Sequence, residues 1–250
     1  MAAPRAHLSK APAREALIDL QFEPHLSLAE VDEFVAAAAP AFERQVELAE
    51  ATIGFGLNGP APATSHSIIG RRLDNEKTHF VLQSRLNGFT LSRLSPYGEW
   101  AELRGEALKW WTLLRRTAKD RTITRIGVRY INAITIPLPV ESFDDYLTCA
   151  PRVPAEFPQG VSGFLQRVIV PDDVGCCTSV VTQALEAQPP VEDGASPGAI
   201  TVLLDIDVFR PTTVDPDRDH DAWAGLDELR DQKNRIFFAY LTEKAVEMFE

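Results

Sequence analysis

The sequence predicts an α+β protein: an antiparallel curved sheet with long helices packed on one face. Three observations lead there. Runs with the period of two that marks a half-buried strand alternate with stretches of helical period. Consecutive strand candidates are separated by hairpin signals, which makes the sheet antiparallel. The order β-α-β-β-β-α occurs twice, over residues 15–120 and 121–250. Two such half-units suggest an internal duplication, and one continuous sheet shared between them would be a pseudo-two-fold saddle. The expected unit is one compact domain over 15–250, preceded by a loose arm over 1–14, where Pro4 and Pro12 stand without periodicity.

In the first half-unit Ala16, Ile18, Leu20 and Phe22 alternate with Leu17, Asp19 and Gln21, a half-buried strand that Pro24 ends. Ser27 with Glu30 three residues on is a capping box, and Val31, Phe34, Val35 and Ala38 continue at helical spacing until Pro40. Gly54 to Ser65 reads as a loop. Strands follow over 66–73, 77–85 and 88–94, divided by Asp74-Asn75 and by the hairpin pair Asn87-Gly88. Ser95 then caps a helix with Pro96 in its first turn and a stripe of Tyr97, Trp100, Leu103, Ala107, Trp110, Trp111 and Leu114. In the second half-unit 123–136 form a long strand, 142–148 a short helix, and 163–171, 176–186 and 199–210 three strands. A last helix runs from Asp221 to Met248.

Five stretches carry a resemblance: Glu15–Phe22 (EALIDLQF), Leu91–Trp100 (LSRLSPYGEW), Arg125–Asn132 (RIGVRYIN), Leu204–Phe209 (LDIDVF) and Leu229–Phe238 (LRDQKNRIFF). Together they resemble a sporadically distributed prokaryotic family of proteins of about 250 residues, nearly the whole chain being covered. A patchy distribution implies carriage on mobile or defence-related gene clusters. The resemblance implies no reaction.

Hydrophobic residues are 45% and charged residues 24% of the chain, ordinary globular usage. With 36 acidic against 25 basic residues the formal charge is −11, which repels a polyanion, so nucleic acid is an unfavoured partner. The first twenty residues lack the apolar run of a signal peptide and no later segment approaches a membrane span, so a cytoplasmic protein is expected. Cys149, Cys176 and Cys177 suit neither a disulfide framework nor a zinc site. His7, His25, His66, His79 and His220 have no metal-ligand spacing. No P-loop, G-x-G-x-x-G or G-x-S-x-G is present, so no catalytic residue, metal or cofactor is assigned.

A short set of polar residues stands out. On the strand 123–136 alternation puts Arg125 and Arg129 on one face and Tyr130 and Asn132 on the other. On 199–210, Asp205 and Asp207 share a face opposite Val202, Leu204, Ile206 and Val208. Carboxylates at i and i+2 can converge on a divalent cation, but a third ligand is not evident, and pairing with Arg125, Arg129 or Arg230 is the expected use. In the last helix Arg230, Lys233 and Asn234 interrupt the stripe of Trp223, Leu226, Phe237 and Leu241. They either form a cationic pocket against the sheet for an anionic ligand or reach solvent and the two aspartates. Arg93, beside Tyr97 and Trp100, completes the set, although aromatic residues at helical spacing are core more often than ligand platforms.

The function expected first is a non-enzymatic accessory or regulatory protein that binds a protein partner, of the antitoxin or defence-cluster kind. Second comes a small anionic-ligand binder or enzyme using a cleft between the sheet and the C-terminal helix, with Arg125, Arg129, Asp205, Asp207, Arg230 and Lys233 as its polar lining. Nucleic-acid binding on a saddle-shaped sheet ranks third.

Overall fold

The computed structural model describes residues 8–53, 64–154, 156, 161–187 and 198–250. Most of the loop expected at 54–65 and the first half of the expected arm lie outside them. In chain order the elements are strand β1 (Ala13–Glu23), helix α1 (Leu28–Ala38), strands β2 (Arg44–Ile53), β3 (Thr64–Asn75), β4 (Phe80–Arg85) and β5 (Gly88–Leu94), and helix α2 (Trp100–Leu114). Then come strands β6 (Thr122–Pro137), β7 (Leu165–Asp172), β8 (Cys177–Leu185) and β9 (Ala199–Val214), and helices α3 (Asp219–Tyr240) and α4 (Glu243–Glu247). One open antiparallel sheet takes up the nine strands in the order β2-β3-β4-β5-β1-β6-β9-β8-β7.

Alternation decides which side of the sheet the helices cover. Ile18 pairs with Leu91 on one side and Val128 on the other, and Val128 pairs with Val208. All four are fully buried, as are Leu20, Leu204 and Ile206. Onto this apolar face pack α1 over β3 and β4, α2 over β5 and β1, and α3 over β6 and β9. Trp111 of α2 is wedged against Phe22 and Phe89, ring centroids 6.1 and 5.6 Å away. Its Nε1 donates to Asp219 at 2.7 Å, the residue that opens α3, and Arg115 grips the same carboxylate through Nε and Nη2. An anion at that position also meets the positive end of the α3 dipole, so one carboxylate fixes the two long helices relative to each other.

Several elements depart from the sequence reading. Strand β2 was not expected: Glu47, Ala49, Glu50 and Ala51 hide an edge strand in which, over residues 44–51, Val46 and Leu48 are half-covered and the rest exposed. Helix α2 opens at Trp100 rather than after Ser95: Ser95 directly follows β5 and is tied to β1, its N–H donating to Arg14 O. Tyr97 therefore lies in the connection before the helix. The last helix is two: Leu241 leaves α3 to bridge Leu147, and Thr242 donates its N–H to Tyr146 O and caps α4. The short helix over 142–148 reduces to a 3₁₀ turn at Phe143–Asp145. Residues 8–12 of the expected arm lie along the C-terminus and β6, Lys10 N–H donating to Phe249 O and Ala133 N–H to Pro12 O. Gly70, where the β2–β3 register shifts, is required by crowding: a Cβ there would lie 2.3 Å from Ser84 O.

Candidate functional site

Strand β6 and helix α3 define a cleft on the covered side of the sheet. Tyr130 and Asn132 are even-numbered residues of β6 and so point toward the helices, with exposures of only 3% each. On α3, Leu226, Leu229, Lys233 and Phe237 follow at spacings of three and four, which makes Lys233 a core position by geometry. It is 7% exposed. The N-terminal segment Ala11–Ala13 and the connection Tyr97–Glu99 close the sides, leaving a cavity of about 480 Å³ with Arg230 and Asn234 also on its wall. That volume falls within the range of small-molecule sites.

The electrostatics of the cleft centre on Lys233. Its Nζ stands 3.5 Å from the centroid of the Tyr130 ring, a close cation–π contact. Among the described residues no carboxylate holds the amine, and burial, with Arg230 adding positive charge, lowers its pKa from 10.5 to about 7. The Tyr130 hydroxyl makes a 2.9 Å hydrogen bond with that of Tyr97, and the two rings meet edge to face at 5.5 Å. Burial pushes both phenols above their ordinary value, Tyr130 the further, so both stay protonated at neutral pH. Asn132 is anchored by its Nδ2, which donates to Leu204 O at 2.9 Å. Arg230 is half-exposed and bonds Asp231. Trp100 on the cavity wall is held by Nε1 donating to Asp227 at 2.7 Å, again tying α2 to α3.

Arg125, Arg129, Asp205 and Asp207 are elsewhere. They lie on the opposite, open face of the sheet, so the expectation of one cleft lined by them together with Arg230 and Lys233 is corrected by the strand alternation itself. Arg129 holds Asp205 in a two-pronged bond of 2.8 and 2.6 Å. Asp19, 9% exposed, accepts from Arg85, Thr90 and Arg125, and Arg125 also lies 3.7 Å from Asp207 and stacks on Phe209. Burial raises the Asp207 carboxyl pKa, with Arg125 and Arg129 opposing. Each carboxylate faces a guanidinium, which is the pairing expected from the sequence, except that Arg230 has no part in it. The resulting lattice ties β4, β1, β6 and β9 across the centre of the sheet.

Arg93 joins neither group. Its guanidinium stacks on Phe80 at 5.0 Å and approaches Glu102 at 3.9 Å, in a separate depression with Phe42, Lys109 and Trp110. Five of the ten candidate residues thus converge, namely Tyr130, Asn132, Arg230, Lys233 and Asn234. The expectation that the helix cations would reach solvent or meet the aspartates fails for Lys233, since the sheet stands between. What the sequence reading missed was the Tyr97 hydroxyl, assigned to a helix stripe, and the wall built by residues 8–13. The Pro96-Tyr97-Gly98 run, a turn composition, was the available signal.

No family model and no curated protein matches the chain. Among the described residues no helix is long and apolar enough to cross a membrane. None of their His, Cys, Asp and Glu side chains gather in groups of three that could hold a metal ion.

Proposed function

We propose that the protein binds a small organic anion in the cleft between β6 and α3. One observation carries this reading: Lys233 occupies a core position, lines a cavity, and among the described residues pairs with no carboxylate. A leucine or phenylalanine would pack there at no electrostatic penalty, whereas a buried cation without a partner is destabilising by several kcal/mol in general. Local violations of folding rules concentrate at functional sites. An anion in the cleft supplies the missing counter-charge, Arg230 at the mouth adds a second cation, and Tyr97, Trp100 and Phe237 offer apolar walls for an organic body. The test is thermal unfolding of the full chain with propionate, succinate, benzoate or inorganic phosphate, beside a Lys233→Met variant. A ligand at a hundred times its Kd stabilises by about 2.7 kcal/mol, and this gain should appear in the wild type and vanish in the variant. Equal shifts in both proteins, or none with any anion, would refute the proposal.

A second reading, an accessory protein with a protein partner, has its own support. Edge strand β7 exposes apolar residues on both faces, Ile169 at 60% on one and Val170 at 48% on the other, followed by Val174 at 97%. An uncovered hydrophobic edge is suited to strand addition by a partner. The gene-cluster setting implied by the resemblance accords with this reading. Capture of a stoichiometric partner that Ile169→Lys abolishes would favour it over the ligand cleft. A cytoplasmic setting accords with three free thiols. The central β1–β6 pair, flanked on each side by a run of antiparallel strands, supports the duplication reading.

A further inference from the structure

We propose that Lys233 is a nucleophile that forms an imine with the carbonyl carbon of a small oxo-carboxylate, its carboxylate held by Arg230. The inference rests on the anion-binding reading above and names the class of anion. Three features of the cleft favour a carbonyl acid over a phosphate. First, the buried donors are few: one amine, one anchored amide and one hydroxyl pair, with a single guanidinium at the rim. A phosphate is usually cradled by several converging N–H groups, often at a helix N-terminus; the start of α2 at Trp100 and Ala101 does reach this wall, but with the Glu99 carboxylate beside it, which opposes a doubly charged anion. Second, the walls are largely aromatic and aliphatic, with Leu8, Pro12, Trp100 and Phe238 among them, which suits a carbon skeleton carrying one charged group. Third, the amine is desolvated and stands beside another cation, the two conditions that keep a lysine nucleophilic near neutrality.

The Tyr97–Tyr130 pair supplies the proton path. Nζ lies over the Tyr130 ring, so the linked hydroxyls stand at the edge of the surface on which a carbonyl would approach the amine. The lone pair of the neutral amine attacks the carbonyl carbon, and the C=O π electrons move to oxygen. That oxygen takes a proton, the net donor being the nitrogen, with the hydroxyl pair relaying it, and a carbinolamine results. The hydroxyl then leaves as water with a proton lent by the tyrosine pair while the nitrogen lone pair closes the C=N bond, and the iminium nitrogen returns its proton to that pair. Amine plus carbonyl gives imine plus water, with no oxidant or other reactant required. Arg230 stays charged throughout and neutralises the substrate carboxylate.

Reductive trapping tests this. The full-length protein is incubated with pyruvate, 2-oxobutyrate or glyoxylate and sodium cyanoborohydride, and intact mass and peptide mapping are read. The expected result is one adduct per chain with the mass of the reduced imine, at Lys233, and slowed by an excess of propionate. Lys233→Met and the charge-keeping Lys233→Arg should each lose the adduct while retaining the far-ultraviolet circular dichroism of the wild type. Tyr97→Phe, which keeps the amine and the fold, should slow trapping by about 10²-fold, the usual contribution of a positioned proton carrier. If propionate and the oxo acids stabilise the protein through Lys233 but no adduct forms, or if adducts scatter over surface lysines, the imine is overturned and anion binding stands. If the oxo acids neither bind nor react, both proposals fall.

Discussion

Replacing Lys233 by methionine keeps the length of the stem, deletes the charge, and is expected to make the protein more stable. A drop from 10.5 to about 7 corresponds to a penalty of about 5 kcal/mol on the folded ammonium form. The Tyr130 ring returns about 2 kcal/mol of that through the cation–π contact. Desolvation wins, and roughly 3 kcal/mol remains to be recovered by an apolar side chain of the same reach, in line with buried charges replaced elsewhere by hydrophobic isosteres. The sign with pH follows from proton counts. Between about pH 7 and 10.5 the unfolded lysine holds a proton that the folded one has lost, so wild-type stability gains across that window, and below it the penalty is complete. The variant's advantage should be full near pH 6 and fade toward pH 10. For a chain of this size about 3 kcal/mol moves Tm by about 6–12 °C. Thermal unfolding of both proteins at the two pH values, read as a difference so that every other titration cancels, is the assay. A variant less stable near pH 6, or a difference independent of pH, would refute the assignment of Lys233 as an uncompensated buried cation.

Three further outcomes are expected. Asp19→Asn should destabilise by about 3 kcal/mol in urea unfolding, because Arg85 and Arg125 would keep their burial and lose the carboxylate between them; a change below about 0.5 kcal/mol would show that the open-face lattice does not hold the sheet. Gly70→Ala should lose about 1–3 kcal/mol, since its Cβ would press on the β4 backbone at Ser84 and Arg85, which cannot rotate away. The rate of reductive trapping, relative to a free-amine reference, should rise through about pH 7 and then level. The other groups facing Nζ are Tyr130 from β6, Tyr97 and Glu99 from the connection before α2, and Arg230 on α3, and the raised phenols leave that step to the amine. A rate that climbs only near pH 10 would contradict it.

How much of this was legible in the sequence depends on how strongly each segment buries one side. The alternation of β1, β6 and β9 was plain, because each sets four or more apolar residues against a polar face. The central β1–β6 pairing was not, since register across the middle of a sheet has no local signal. Strand β2 escaped for the reason that hides many edge strands: with one neighbour and little to bury, its alanines and glutamates read as well for a helix. Ser95-Pro96 imitated a helix start, and the bond from Ser95 N–H to Arg14 O, which ties that position to β1 instead, has no local signal.

The site was half legible for a similar reason. Lys233 and its neighbours were visible as polar breaks in an apolar stripe, which is how a functional residue shows itself in an amphipathic helix. Arg125, Arg129, Asp205 and Asp207 were visible as charges on strands. Grouping them into the same cleft ignored their parity, which sends them to the other face of the sheet. The walls from residues 8–13 and the Tyr97 hydroxyl depend on contacts across more than thirty residues, and no periodicity reports those.

The most direct measurement is the ionisation of Lys233 itself, followed by carbon-13 NMR of protein labelled at the lysine ε-carbon, with Lys233→Met to assign the signal. One lysine resonance should titrate near pH 7 in the free protein and move upward when propionate fills the cleft, as an anion restores the counter-charge. If every lysine titrates near 10, or if the Lys233 resonance ignores propionate and the oxo acids alike, the cleft is not built around an uncompensated amine and the account of its function fails.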